Sequence, residues 1–426
     1  MLHRWVSVLI CAAMSAAAIT ACGSGGASQS TDGKTELTIA TFNEFGYEDL
    51  FKEYEAAHSD IKITHRKAGQ AEPHHQNLFT KLGAGSGLAD IEAVEEGYLS
   101  QVMSKSGQFN DLKEIGPTIE GGRWLQWKSD AVTTKDGKLI GYGTDIGPLA
   151  MCYRKDLFAQ AGLPSDPAGV KELFVTWDGY FAAGDQFTAK APGVAWFDSA
   201  VQVFNAMHNQ HKVGYYDASD KLVVDTNPDI KADWTAVTAA VAKGQSARLD
   251  PFSNEWSTGF KLGKFATKTC PSWMLGVVET HAGPENKGKW AVTDAFPNGG
   301  GNWGGSYLSV PKQSKNAKKA AELAAWLTAP EQQIKAFKAQ GTFPSQVKAL
   351  DSPELLEQTE AYFGDIKVGA LFAAQAQKVT AAQYKGPADG QIQETVFSPA
   401  LQSVEQGKSA DEAWKTAVEA AQKAAK

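Results

Sequence analysis

Six stretches of the chain supply aromatic rings, carboxylates, amides and glycines where strands run into loops. They are Asn43-Glu44-Phe45, Glu95-Glu96-Gly97-Tyr98, Thr144-Asp145, Trp196-Phe197-Asp198, Trp273 and Asn302-Trp303-Gly304-Gly305. Sugars need this mixture. The apolar C–H face of a pyranose stacks on an aromatic ring, and its equatorial hydroxyls pair with carboxylates and amides. Glycine beside Trp303 lets the backbone come close to a ligand. The candidate contacts are Asn43, Glu44, Phe45, Glu96, Asp145, Trp196, Trp273, Trp303 and Gly305. Core packing competes for the 12 tryptophans. Trp177, Trp234, Trp326 and Trp414 lie in helical stripes and are assigned to the core. Trp124 and Trp127 are three apart and are read as structural. Trp303 leads the ligand candidates, followed by Trp273 and Trp196.

Other chemistries fit the residues less well. Gly299-Gly300-Gly301-Asn302-Trp303-Gly304 fits the spacing of a dinucleotide turn, but that turn must follow a strand and open a helix. Here Pro297 and Asn298 precede it and the strand-like Tyr307–Val310 follows. Gly283 to Lys289 resembles a phosphate loop, yet Trp290 stands where a Mg²⁺-binding hydroxyl belongs, so a turn is expected. No G-x-S-x-G, H-E-x-x-H or C-x-x-C occurs. Glu72, His74 and His75 could suggest a metal, but adjacent histidines point apart, and a solvated loop is expected there. Glu95-Glu96 and Asp145 could serve a glycosidase if spaced about 5–9.5 Å apart in space, which spacing along the chain does not give. No metal and no cofactor are expected.

The elements that must hold these residues alternate in type. Leu37, Ile39 and Thr41 have strand period. Glu48 to Ala57 is predicted helical, Ile61 and Ile63 start a strand, Asn77 to Leu82 is helical, and Ile91 to Val94 is a third strand. That order argues a parallel sheet with helices on both faces. Val194 to Phe197 is a further strand. Trp234, Val237 and Val241 mark a helix closed by Gly244. Ala320 to Leu327 and Ile334 to Phe337 are helices ended by Pro330 and Gly341. Ser409-Ala410-Asp411-Glu412 is a capping box opening a last helix, with a short frayed tail after Ala421. Two α/β lobes follow, with ligands outside the carboxyl ends of the strands.

Composition bounds the partners. Lys and Arg number 41 against 48 Asp and Glu, so no basic surface is available for nucleic acid. Val6 to Ala21 is apolar but shorter than the ~20 residues a membrane helix needs, and reads as a signal peptide. Ile19-Thr20-Ala21-Cys22 resembles a lipoprotein lipobox, which implies cleavage before Cys22 and lipid on that residue. A plain secreted protein cut after Ala18 is the alternative. Gly23 to Ser30 is a flexible tether. Cys152 and Cys270 remain as an even pair in an oxidising compartment, where a disulfide is expected; two separate buried thiols are the alternative.

Four segments carry a resemblance. They are Asp136-Gly137 with Gly143-Thr144-Asp145-Ile146-Gly147; Cys152-Tyr153-Arg154-Lys155-Asp156-Leu157-Phe158 with Ala161-Gly162-Leu163-Pro164; Cys270-Pro271-Ser272-Trp273-Met274-Leu275-Gly276; and Gly300-Gly301-Asn302-Trp303-Gly304-Gly305-Ser306. The chain resembles the solute-binding lipoproteins of carbohydrate ABC importers, in the maltose-binding-like group that includes actinobacterial cellobiose- and chitobiose-type proteins. The resemblance implies a two-lobed periplasmic-binding-protein-like (Venus flytrap) α/β fold with an interlobe ligand cleft. Residues 1–21 would be the signal peptide and 22–35 the tether. The first lobe would hold 36–146 plus 304–350, and the second 147–303 plus 351–426. It also implies a monomer that binds a disaccharide-sized, β-linked oligosaccharide without catalysis and hands it to a membrane permease from the outer face of the membrane. A binding protein for a non-sugar solute and a secreted glycoside hydrolase are the alternatives. Pro148 departs from the family pattern, where glycine is expected, and removes an N–H from the crossing segment.

Overall fold

Leu37 and Ile39 on one face and Ala40 on the other are buried, as a strand covered on both faces requires. They sit in the central part of a sheet in a computed structural model that describes residues 33–379 and 383–425. The strands are β1 (Thr35–Phe42), β2 (Ile61–Ala68), β3 (Ile91–Glu95), β4 (Tyr142–Gly143), β5 (Asp145–Ile146), β6 (Leu149–Arg154), β7 (Ala195–Phe197), β8 (Phe265–Pro271), β9 (Trp290–Thr293), β10 (Ser306–Ser309) and β11 (Phe343–Pro344).

The first sheet runs β2-β1-β3-β10-β4. β1 is parallel to β2, with Thr35 opposite Ile61 and Phe42 opposite Ala68, and parallel to β3. The expected parallel arrangement therefore holds for the first three strands. β10 departs from it, lying antiparallel to β3 with Ser306 opposite Glu95. It returns from the second lobe rather than through a crossover helix, so nothing forces it parallel.

The second sheet runs β7-β8-β6-β9, and β6 is antiparallel to both neighbours. Its alternation divides two cores: Leu149, Met151 and Tyr153 pack with Phe158, Trp196 and Phe397, whereas Ala150 and Cys152 pack with Trp256, Phe260 and Trp290. On that second face Cys152 and Cys270 form a disulfide between adjacent strands, with Cα atoms 5.6 Å apart and both residues fully buried.

The helices follow the sequence signals with three corrections. Glu48–Ala57, Pro228–Ala242, Ala317–Leu327 and Pro330–Gln340 form as expected, with Gly244 and Gly341 left-handed beyond their ends. Pro330 opens the second of the last pair rather than closing the first. The last helix starts under Ser409 and continues to Ala424 instead of fraying at Ala421. The third correction concerns Glu72, His74 and His75, which lie in a helix, Ala71–Ala84, and not in a solvated loop. His75 Nδ1 donates to the Ala71 carbonyl at 2.7 Å and Nε2 accepts from the Glu95 N–H at 3.0 Å. Burial holds this ring neutral, its pKa lowered to about 3. The two histidines therefore fasten the end of β3. Among the described residues no His, Cys, Asp and Glu cluster could hold a metal, and no helix is long and apolar enough to cross a membrane. The signal segment, Cys22 and the tether through Thr31 and Asp32 lie outside the described residues.

Candidate functional site

Three stretches of chain cross between the sheets side by side. The first, Gly143–Leu149, leads from β4 into β6. The second, Gly301–Ser306, returns to β10. Trp303 N donates to Gly147 O at 2.8 Å, Leu149 N to Gly301 O at 3.0 Å and Thr144 N to Ser306 O at 2.9 Å. The third is β11, paired antiparallel with β5, Phe343 opposite Ile146. Two glycines make the packing possible. A β-carbon on Gly147 would lie 1.8 Å from Trp303 O, and one on Gly305 (φ +108°) would lie 2.6 Å from Asp145 O. Pro148 forms a bridge opposite Asn302 within this crossing.

Five of the predicted contacts converge here. Glu96 follows β3 and accepts from Asn302 Nδ2 at 2.9 Å, while Asn302 Oδ1 accepts from Gly147 N at 2.9 Å. Asp145 Oδ1 accepts from the Thr144 hydroxyl at 2.6 Å and from Ser306 N at 3.0 Å. Gly305 lies in the returning segment, and its carbonyl accepts from Glu96 N at 3.0 Å. Trp273 follows β8 and donates from Nε1 to Trp303 O at 3.2 Å, with the two indoles edge to face at 5.9 Å. Both rings are half-buried. Pinned by those glycines, they form a corner whose remaining faces can stack on a ligand.

The other predicted contacts lie outside this crossing. Trp196 is fully buried in the second lobe, stacked on Phe158 at 5.2 Å and packed on Tyr180 at 5.3 Å. This corrects the expectation of a cleft-facing ring: β7 is a three-residue strand whose central side chain points into the core. Phe45 is also buried, between Phe42 and Tyr47 at 5.2 and 5.4 Å. Glu44 and Asn43 are exposed at the end of β1, where Glu44 pairs with Lys67 at 2.8 Å and Asn43 turns the chain at φ 46°. Trp177 and Trp234 are core residues as expected, whereas Trp326 and Trp414 are half-buried against the cores.

Several further groups lie at or near the crossing, outside the predicted contacts. Lys128 is fully buried, with its ammonium 3.9 Å from the Tyr307 ring and no hydrogen-bond partner. Burial lowers its pKa, against the pull of Glu96 and Asp145. Burial likewise raises Glu96 and Asp145, opposed by Lys128. The hydroxyls of Tyr98 and Tyr307 and Asp389 Oδ2 are also buried without partners. From the second lobe Lys385 approaches Asp389 at 3.6 Å, and its charge reaches Glu95 and Glu96. Gly97 and Gly390 meet across the seam, a β-carbon on Gly390 falling 2.9 Å from Gly97 O. The lobes therefore touch, and the seam holds polar atoms that lack the partners buried polar groups normally have. Lys128 and Asp389 give no periodic or motif signal, because their role depends on burial made by distant segments. Grooves of about 1000 Å³ beside Gly244 and Leu262 and about 690 Å³ between Tyr54 and Trp326 are lined by other residues.

The crossing can fix carboxylate and amide acceptors beside an indole corner. Glu96 and Asp145 each have one oxygen already taken by protein donors, which suits them to accept from hydroxyls.

Comparison with known proteins agrees with this architecture. Residues 49–363 match the family model described as bacterial extracellular solute-binding protein. An arabinooligosaccharide-binding protein of Bacillus subtilis (strain 168) is 30% identical over 361 residues, 78% of each chain. A crystal structure of an extracellular solute-binding protein of family 1 is 52% identical, with a TM-score of 0.83 over 92% of this chain and 100% of that one. The transporter-associated binding protein of B. animalis subsp. lactis Bl-04, in complex with β-1,6-galactobiose, shares the fold at 20% identity, with a TM-score of 0.77 over 92% of this chain and 96% of that one. The chain, two α/β lobes joined by three adjacent crossings, belongs to the bacterial extracellular solute-binding protein family.

Proposed function

We propose that this protein is the capture component of an ABC importer for an oligosaccharide of about disaccharide size, β-linked. One observation carries the reading: an indole corner, Trp273 and Trp303, stands beside Glu96 and Asp145 and near buried polar atoms that have no partner, where the lobes meet. The arabinooligosaccharide-binding relative supports a sugar as the solute. The first lobe is 36–146 with 304–350, and the second is 147–303 with 351–426. Sugar docks on one lobe and is closed over by the other. Contacts made only in the closed form, such as that of Gly97 with Gly390, set how far the ligand shifts the population. The closed form then presents both lobes to the permease. Asn43 and Glu44, exposed at the end of β1, extend the site at its rim. Lipid on Cys22 holds the monomer at the outer face of the membrane, and the ligand leaves unchanged because the site binds without catalysing.

Tryptophan-fluorescence titration of the chain from Gly23 against α- and β-linked oligosaccharides tests this, with the sugar analysed afterwards. Saturable change with intact sugar is expected. Silence with every sugar points to another solute, and product formation points to a hydrolase.

A further inference from the structure

The helix Ala200–His208 follows β7 and starts under a Ser199 cap, whose hydroxyl accepts from Val201 N at 3.3 Å. Its far end abuts the returning crossing, where a β-carbon on Gly301 would lie 3.0 Å from Gln210 and 3.6 Å from Asn209 O. One turn apart on this helix stand Asn205 and His208, 6% and 1% exposed. Asn205 Oδ1 and both ring nitrogens of His208 have no hydrogen-bond partner. Such groups are rare in a folded chain unless something else pairs with them.

The surroundings fix the imidazole without using its nitrogens. Its ring stacks on Tyr215 at 4.2 Å and lies parallel to Phe204 at 5.8 Å. Gln383 Nε2 donates to the His208 carbonyl at 2.6 Å, and Lys385 bridges Asn209 and Gln383 at 2.9 and 2.7 Å. Lys385 also lies 3.6 Å from Asp389, next to the Gly390 that meets Gly97, which places this cluster beside the seam. The groups whose charge bears on the ring are Lys385 and His211, both of which oppose its protonation, as burial does. A neutral imidazole offers one donor and one acceptor, and the amide oxygen adds a second acceptor. A hydroxyl both donates and accepts, so neighbouring sugar hydroxyls complement this set.

We propose that Asn205 and His208 read the hydroxyls of the ligand from the second lobe and set its specificity, an inference that rests on the oligosaccharide reading of the seam. His208→Phe keeps the ring stack and removes both nitrogens. Asn205→Leu removes the amide at similar volume. Replacing a neutral buried polar group that has no partner by an apolar one does not destabilise a fold, whereas losing its bond to a ligand weakens binding.

The test is calorimetric titration of wild type and both variants with the oligosaccharide that wild type binds best, beside thermal melts of the unliganded proteins. Each variant should bind about tenfold or more weakly, with an unchanged or higher melting temperature. His208→Gln, which keeps a donor and an acceptor, should recover part of the loss. Wild-type affinity in both variants overturns this inference alone and leaves the oligosaccharide reading standing. Loss of affinity that tracks a lower melting temperature in all three variants overturns it too, by making the pair structural. Absence of binding in wild type overturns both.

Discussion

A methyl group at Gly390 should separate binding from folding. In the closed arrangement its β-carbon would lie 2.9 Å from Gly97 O, 3.2 Å from Gly97 C and 3.3 Å from the Tyr98 ring. The first two are backbone atoms. Gly97 N is held by the Glu95 carboxylate at 2.7 Å, so the loop cannot easily yield. Overpacking of this kind costs about 1–3 kcal/mol. At 1.4 kcal/mol per tenfold, that is a loss of about 5- to 150-fold in affinity. The cost falls on the closed form only, because separated lobes have no such contact. Gly390 itself lies in the short helix Asp389–Ile392 with φ in the helical range, where alanine is favoured over glycine by up to about 1 kcal/mol. Gly390→Ala should therefore leave the unliganded melting temperature unchanged or slightly higher while weakening ligand by about tenfold. Calorimetry gives the affinity, and small-angle scattering gives the ligand-induced compaction, which should be smaller at equal saturation. Affinity within twofold of wild type would refute the claim that Gly97 and Gly390 meet in the liganded state.

Other perturbations give equally definite outcomes. Cys152→Ala with Cys270→Ala removes a link across 118 residues, worth about 4–5 kcal/mol in the chain-entropy picture, and should lower the urea midpoint markedly. Lys128→Met removes the buried cation whose charge favours the ionised forms of Glu96 and Asp145, and should lower the midpoint in the same unfolding assay. Burial raises Glu92 and Glu405 to about 7 and Glu95 to about 8, from 4.5. Each binds its proton more tightly when folded, so its contribution is complete below pH 4.5 and is lost as pH rises through 7 to 8. The urea midpoint should fall between pH 5 and 8, and Glu405→Gln should flatten part of that slope. Trp303→Ala should abolish most ligand-induced fluorescence change and weaken binding by about tenfold or more.

Much of the frame was legible in local patterns. Alternation in β1, the helical stripe of Glu48–Ala57 and the Ser409 cap depend on near neighbours, and the structure reproduces them. The glycine-flanked Trp303 was also readable, because only a crossing or a ligand explains so many small residues beside an indole. Trp196 was misread because a strand end looks the same from sequence whether its ring faces a cleft or the Phe158 cluster. His74 and His75 were misread because their partners, Ala93 O and Glu95 N, belong to another strand. Lys128 and Asp389 were invisible for a similar reason: their burial is created by segments far away in the chain. The antiparallel turn of β10 likewise follows from a return between lobes that no local period records.

The most direct test of capture between the lobes is the crystal structure of the protein bound to the sugar it titrates with. The account predicts an intact oligosaccharide between the lobes, one ring against Trp303 and hydroxyls on Glu96 and Asp145. Sugar seated instead in the groove between Tyr54 and Trp326, with the crossing empty, would contradict it.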